Sequence, residues 1–376
     1  MKQSLSEIAI VFLKLGAIAF GGPAAHIAMM DKEIVEKRQW LSREKLLDLL
    51  GVTNLIPGPN STELAIHIGY EKAGWRGLIV AGSCFILPAM AIVWLLAILY
   101  VRFESLPSSS GLLYGIKPVV IAIIIQALWK IGKKAAKDTP TTIGGVMATV
   151  AFFLGLDEIL ILLLIGLGVM ITKTVIDNKN NLGGLFFLPF LAVSPSISFS
   201  PSGINIFLAF LKIGSILYGG GYVLLAFLQR DLVENYQWLT SEQLLDAIAV
   251  GQLTPGPIFT TATFVGYLIA GNKGAIMATI GIFLPSFILV LLVNPWVEKI
   301  RQSVQAGNFL DGVNAASLGL MAGVTYILMT NSVTDLFTLF LVIITTIVIF
   351  RYQINSVWLV LIGGLAGFLY YYLISI

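Results

Sequence analysis

The residues with the clearest capacity for chemistry are two Pro-Gly-Pro segments, Pro57-Gly58-Pro59 and Pro255-Gly256-Pro257. Proline and glycine prevent a preceding helix from continuing, and Asn60 and Ser61, after the first segment, are good N-cap types. A helix that begins there presents free backbone N–H groups and about half a positive charge. Two such ends facing each other in apolar surroundings would bind an anion. The alternative is that each segment only turns the chain.

Two lysines, Lys14 and Lys212, lie within apolar stretches. A lysine at the centre of a membrane helix costs about 2.5–3.5 kcal/mol to insert, so something must offset this cost. Either both ammonium groups face the interior and neutralise an anion, or they snorkel to the nearer interface. Because both stretches carry the lysine at the same place, we favour the interior position.

Further residues beside these elements are candidate ligands. The glycines that interrupt the two lysine-bearing helices allow either close approach of an anion or a packing kink, and they are Gly21, Gly22, Gly219 and Gly220. Neutral side chains near the Pro-Gly-Pro segments would donate hydrogen bonds to the anion, and they are Asn54, Asn60, Ser61, Thr62, Gln252, Thr254 and Thr260.

Three titratable residues have no counterpart in the second set of elements. Glu63 is the acid beside the first segment, where it either carries a proton or caps the helix N-terminus. We expect His26 and His67 to be structural residues.

The composition determines what surrounds these residues. Of 376 residues, 57% are hydrophobic and 11% charged, which is typical of a chain whose solvent is lipid. Cys84 is the only cysteine, so an intrachain disulfide and a cysteine metal cage are excluded. The sequence has no HExxH motif and no paired intramembrane aspartates, so we expect neither an enzyme nor a bound cofactor or metal. Nothing in it indicates nucleic-acid binding.

An internal repeat organises the chain. Residues 12–59 align without a gap on residues 210–257, with 22 identities over 48 positions. Chance would give roughly 3 or 4, from average residue usage. The predicted units are an N-terminal membrane repeat (1–180), a linker (181–202) and a C-terminal membrane repeat (203–376). The linker's apolar island, residues 185–193, is too short to span, so the linker lies along the interface or is a surface loop.

The predicted fold class is an all-α polytopic membrane protein. After each Pro-Gly-Pro, about 14 residues precede the next break, which is about 21 Å of helix against a core of about 30 Å. Each repeat is therefore predicted to have about five transmembrane helices plus one re-entrant half-helix. Ten spans place most Lys and Arg residues on one side, with Lys2, Arg102, Arg230 and Lys273 on the other. Twelve spans would divide them evenly. An odd number of spans per repeat inverts the second repeat and puts both termini outside.

These patterns resemble the chromate ion transporter family. The resemblance rests on Phe-x-x-x-Gly-x-x-x-[Phe/Tyr]-Gly-Gly, on Trp-Leu and on Pro-Gly-Pro, which occur in both halves and begin at Phe12 and Phe210. It implies a two-domain carrier of the cytoplasmic membrane that exports chromate, with energy attributed to the proton motive force. The anion site would then include Lys14, Lys212 and both Pro-Gly-Pro segments. The sequence itself indicates only an oxyanion, so sulfate transport and an anion channel stay open, as does a homodimer.

Overall fold

The computed structural model describes residues 3–54, 56–103, 107–176, 200–218, 221–293, 303–352 and 354–374. All regular elements in these ranges are helices, which confirms the predicted all-helical class. The first half contains α1 (Leu5–Ile18), α2 (Gly22–Met30), α3 (Arg43–Thr53), α4 (Asn60–Phe103), α5 (Pro107–Ala135), α6 (Thr139–Phe153) and α7 (Glu158–Ile176). The second half contains α8 (Gly203–Ile216), α9 (Leu224–Phe227), α10 (Ser241–Leu253), α11 (Thr261–Val293), α12 (Val304–Ser332), α13 (Leu336–Tyr352) and α14 (Ser356–Ile374).

The first half opens with an antiparallel helix pair. α1 ends at Ile18, and Gly21 adopts a φ of 102° before α2 begins, a conformation that favours glycine. α2 continues as π-helical turns over Asp31–Lys37 and runs back along α1. Two ion pairs show the direction, because Lys14 lies 3.2 Å from Glu33 and Arg38 lies 3.3 Å from Glu7.

A second antiparallel pair follows. α3 leads into the first Pro-Gly-Pro segment, and the start of α4 returns along it. Near the turn, Asn60 Nδ2 donates to Asn54 Oδ1 at 2.7 Å. At the opposite end, Lys45 lies 3.1 Å from Glu71. The Pro-Gly-Pro segment is therefore a chain reversal between two helices.

α4 is a helical hairpin whose two arms meet at a bend. Ala73 and Gly74 leave helical geometry there, and Gly74 adopts a φ of 64°. The arms pack so closely that a Cβ on Gly69 would overlap the Gly77 carbonyl. The bend separates a short arm, residues 60–72, from a long arm, residues 75–103.

The second half repeats this hairpin in α11. Ala270 and Gly271 leave helical geometry, and Gly271 adopts a φ of 58°. Gly266 meets the carbonyl of Gly274 as Gly69 meets that of Gly77. As in α4, the bend separates a short arm, residues 261–269, from a long arm that follows it.

The remaining helices form a closely packed bundle around both hairpins. Glycines make the contacts, since a Cβ on Gly319 would overlap Gly145 and one on Gly115 would overlap Gly363. α12 thus lies directly on α6, and α14 lies directly on α5. Lys173 ties α7 to α12 through Asp311 at 3.0 Å.

Six segments in the described part of the chain are long and apolar enough to cross a bilayer: Asn60–Phe103, Gly111–Ala135, Glu158–Ile176, Ile258–Val293, Val304–Ser332 and Ser356–Leu373. Three shorter apolar helices accompany them: Thr139–Phe153, Gly203–Ile216 and Leu336–Tyr352. The chain is therefore a polytopic helical membrane protein.

The structure corrects the predicted role of the first apolar helix. α1 has 14 residues, about 21 Å of helix, and is paired with α2 instead of crossing alone. Gln3 N donates to Lys72 O at 3.3 Å, so the start of the described chain lies beside the α4 bend. The prediction placed Lys2 and Lys72 on different sides of the membrane.

The last described helix lies at the other end of the α4 long arm. The end of α14 packs on the start of α5, where a Cβ on Gly111 would lie 3.0 Å from Tyr371 Cβ. α5 begins four residues after the far end of the α4 long arm, whereas Gln3 lies at its near end. Gln3 and Tyr371 therefore lie at opposite ends of this arm. Most of the predicted linker, 181–199, falls outside the described residues.

The glycine contact at the α4 bend yields a stability prediction. Gly69→Ala should destabilise the protein by about 1–3 kcal/mol, because the added methyl meets backbone that cannot move aside. Gly168→Ala on α7 is the matched control, since nothing lies within 4 Å of its Cβ position and alanine favours a helix. Thermal unfolding of both variants in detergent measures the difference. Equal midpoints would contradict the close packing of the arms.

Candidate functional site

The two halves exchange a pair of backbone hydrogen bonds at their chain breaks. Gly58 N donates to Leu217 O at 2.9 Å, and Gly256 N donates to Ala19 O at 2.8 Å. These four residues are equivalent in pairs, because the repeat aligns Gly58 with Gly256 and Ala19 with Leu217. Each Pro-Gly-Pro segment therefore completes the broken helix of the other half. We call these two contacts the crossed junctions.

Glycine is required at both crossed junctions. Gly58 adopts a φ of 141° and Gly256 a φ of 87°, which L side chains rarely adopt. There is also no room for a Cβ, since one on Gly58 would overlap the Glu63 carboxylate and one on Gly256 would meet Ala89 at 2.5 Å. The backbone N–H groups reach the opposite half only because no side chain intervenes.

His26 reinforces one crossed junction. Its Nε2 lies 3.0 Å from Ala19 O, so this nitrogen carries the proton and donates. Its Nδ1 then accepts from Ser61 Oγ at 3.1 Å. The side chain is 1% exposed. The expectation of a structural role fits this placement.

The sequence analysis predicted that the two lysines neutralise an anion. In the structure, each lysine instead forms an ion pair with a carboxylate. Lys14 Nζ lies 3.2 Å from Glu33 Oε2, and Lys212 Nζ lies 3.0 Å from both oxygens of Asp231. Sequence analysis missed these partners. The signal was present, because the repeat aligns an acid with an acid, each 19 residues after its lysine.

The two ion pairs differ in exposure. The Lys14 side chain is 48% exposed and that of Lys212 is 18% exposed. Burial opposes ionisation of Glu33, but hydrogen bonds from Lys14 and Arg38 outweigh it and hold the pKa of that carboxyl below its ordinary value. The stabilisation is therefore complete above the ordinary carboxyl pKa and is lost as the pH falls through the lowered value.

Glu63 lies at the first crossed junction and is completely buried. Ser286 of α11, also completely buried, stands beside it, because a Cβ on Gly58 would overlap both side chains. Neither Glu63 oxygen meets hydrogen-bond geometry with a described group, and the same holds for the hydroxyls of Ser286 and Thr62. The site thus combines an acid of one half with a hydroxyl of the other.

The other predicted ligands line the approaches to the crossed junctions. Asn54 is exposed and donates to Leu50 O at 3.0 Å. Gln252, its repeat counterpart, accepts from the Tyr222 hydroxyl at 3.4 Å. Thr254 and Thr260 donate to nearby backbone carbonyls. Gly22 begins α2 directly after Gly21, and the predicted Gly219 and Gly220 lie outside the described residues.

A groove of about 210 Å³ lies between α2 and α3 of the first half. Asp31 and Arg43, 2.7 Å apart, form its polar end. Leu50 and Ala24 form the other end, close in sequence to the crossed junctions, and the remaining lining residues are Ile27, Ala28, Leu46 and Leu47. This groove connects the charged end of the first half with the region of Asn54.

Fold and site together define a two-repeat helical membrane protein with paired chain breaks at its centre. The profile of the family described as Chromate transporter matches residues 6–172 and 204–368. The chain belongs to this family.

Full-length relatives support the assignment. The chain is 30% identical to a probable chromate transport protein of Synechococcus elongatus, over 98% of this chain and 96% of the relative. It is 30% identical to a chromate transport protein of Cupriavidus metallidurans, over 96% and 92%. It is 29% identical to a chromate transport protein of Pseudomonas aeruginosa, over 98% and 92%. No solved structure matches the chain.

The unequal exposure of the lysine pairs yields a prediction. Asp231→Asn should destabilise the protein by about 3–5 kcal/mol, because it leaves Lys212 mostly buried without its partner. Glu33→Gln should cost about 1 kcal/mol, because Lys14 is half exposed and keeps water. The double variant Lys212→Met with Asp231→Asn should recover most of the loss. Chemical unfolding in detergent measures the stability of all three variants. Equal losses of stability for Asp231→Asn and Glu33→Gln would contradict the difference in burial between the two ion pairs.

Proposed function

We propose that the protein transports chromate across the cytoplasmic membrane, with the anion held between the two crossed junctions. The observation that carries the proposal is the reciprocal pair of hydrogen bonds from Gly58 and Gly256, because it brings the starts of the α4 and α11 short-arm regions to one place. Discontinuous helices whose N-termini face an anionic substrate are a known device of secondary transporters. Membership of the chromate transporter family and the names of the relatives support chromate as the substrate.

The charge of a chromate dianion fits this site only in part. Two helix N-termini supply about one positive charge in total, which leaves about one negative charge to balance. In the proposal, Lys14 and Lys212 supply the positive charge that balances it, since each lies within a few residues of a break at Ala19 or Leu217. An entering anion would compete with Glu33 and Asp231 for them. In the proposal, each lysine thus exchanges its carboxylate partner for the anion.

Opposite orientation of the two halves is part of the proposal. α3 contacts α4 beside the bend, where Lys45 pairs with Glu71. Its repeat counterpart α10 contacts the far end of α4, where the Tyr100 hydroxyl donates to Asp246 at 2.8 Å. The long arm between these contacts measures about 38 Å, enough to cross a bilayer. Equivalent helices therefore begin at opposite ends of one span.

The paired short helices are re-entrant in this proposal. α1 with α2, and α3 with the α4 short arm, enter from the end of the bundle that carries Lys45 and Lys72 and reverse at the crossed junctions. The excess of Lys and Arg at this end supports a cytoplasmic position for it. Irregular backbone at this depth is tolerated because the other half covers it.

Alternating access follows from this arrangement. The groove between α2 and α3, with Arg43 at its polar end, is the inward approach to the site. Movement of the first-half pairs against the α11 hairpin would close it and open the related approach near Gln252. Export is favoured by voltage, since a dianion leaving an inside-negative cell gains about 4.6 kcal/mol per 100 mV. Glu63 is the group whose proton couples to this movement.

Flux measurements test the proposal. Purified protein in liposomes should carry labelled chromate, and unlabelled chromate on the opposite side should accelerate that flux. Gly58→Ala and Gly256→Ala should each lower it at least tenfold, about 1.4 kcal/mol in the barrier, because each breaks a crossed junction. Gly307→Ala, with open space around its Cβ position, is the control.

The alternatives give different results in the same assay. An anion channel would conduct chromate without acceleration by unlabelled chromate on the opposite side. A sulfate carrier would move labelled sulfate in preference to chromate. Chromate flux that is absent, or that ignores both glycine changes, would overturn the proposed site.

A further inference from the structure

A strip of titratable side chains follows one face of the α4 short arm. Glu63, His67 and Glu71 are spaced four residues apart, so they lie one above another on the helix surface. The strip extends about 12 Å, from the crossed junction at Glu63 to the charged end of the bundle at Glu71. Neighbours at this spacing have Cβ atoms about 5–6 Å apart, within reach of a hydrogen bond through one water.

The middle of this strip is an unpartnered buried histidine. His67 is completely buried, and neither ring nitrogen meets hydrogen-bond geometry with any described group. His26, the other histidine, has a partner on both nitrogens. A buried imidazole without partners loses hydration and gains no bond, so its retention needs a reason other than packing.

The second half has the same helix without the strip. The hairpin glycines Gly69 and Gly266 set the alignment, which places Thr260, Phe264 and Leu268 opposite Glu63, His67 and Glu71. Phe264 is completely buried, as His67 is. A position that needs only to fill space is filled by phenylalanine in one copy. Histidine at the equivalent position of the first half is therefore not needed to fill space, and its imidazole points to a chemical role.

We propose that Glu63, His67 and Glu71 form a proton path between the crossed junction and the end of the bundle that carries Lys45. The proposal rests on the proposed transport function and extends it by naming the route of the coupled proton. Glu71 takes a proton from water and gives it to one ring nitrogen of His67, which becomes an imidazolium. The imidazolium gives the proton on its other nitrogen to ionised Glu63, which becomes neutral.

The charged and titratable groups around the path suit these steps. Tyr218, from the second half, lies near Glu63. Lys45 of α3 lies near His67 and 3.1 Å from Glu71. Ser286 offers a hydroxyl to either form of Glu63, and His26 touches the short arm through Ser61.

The path has a consequence for anion binding. Ionised Glu63 lies beside the proposed chromate site and repels the dianion, whereas neutral Glu63 does not. Chromate and the Glu63 proton therefore strengthen each other's binding, as linkage requires. Chromate affinity should fall when Glu63 ionises, and Glu63→Gln should abolish any effect of pH that arises from this group.

Simultaneous measurement of chromate flux and internal pH in liposomes tests the path. His67→Phe, which installs the residue of the second half, should reduce proton movement that accompanies chromate roughly a hundredfold. Chromate-for-chromate exchange at equal pH on both sides needs no net proton movement and should stay near the wild-type rate. Glu71→Gln should slow proton movement less, because water reaches the end of the path. Phe264→Leu is the matched control at the equivalent position.

Each other outcome decides a separate point. Unchanged proton movement in His67→Phe would overturn the path. Chromate flux without proton movement in the wild type would also overturn it, while leaving the transport proposal intact. Absence of chromate flux in the wild type would instead overturn the transport proposal. If His67→Phe fails to fold, His67→Gln keeps a polar side chain and must show the same loss.

Discussion

The reciprocal hydrogen bonds of Gly58 with Leu217 and of Gly256 with Ala19 are the constraint on which the rest of the structure depends. A helix that stops inside an apolar region frees backbone groups that lipid cannot satisfy. Here a carbonyl freed in each half is satisfied by a loop of the other half. A change that breaks one of these hydrogen bonds would therefore disturb the helix breaks, the Pro-Gly-Pro turns and the helix ends that face the proposed anion site.

The same backbone supports different chemistry in the two halves. Both halves pair a lysine with an acid at equivalent positions, and both bend their hairpins at an Ala-Gly pair. Only the first half places Glu63 and His67 on its short arm. Main-chain geometry is thus nearly symmetric while the titratable groups are not. Such a division lets one half carry additional titratable groups while the crossed junctions stay the same in both.

Much of this arrangement was predictable from sequence. The 22 identities between residues 12–59 and 210–257 identified the repeat, and composition identified the membrane class. The short segments after each Pro-Gly-Pro were recognised from length alone. Glu33 and Asp231 were missed because each stands 19 residues from its lysine, in a stretch that resembles a solvated charged face.

Other features could not have been predicted from local pattern. The stretch of α1 is apolar enough to be taken for a span, and its pairing with α2 depends on where the chain reverses around Gly21. The crossed junctions use backbone atoms, which leave no trace in side-chain identity beyond a required glycine. The burial of His67 without a hydrogen-bond partner among the described residues is a tertiary fact that local pattern does not show.

The crossed junctions also bear on how such a chain could arise. A single repeat would leave its Pro-Gly-Pro amide without the carbonyl acceptor that the other half supplies. Two identical copies related by a two-fold axis would satisfy both groups. Fusion of two copies into one chain then allowed each to diverge in charge, as Arg43 against Ser241 and His67 against Phe264 record.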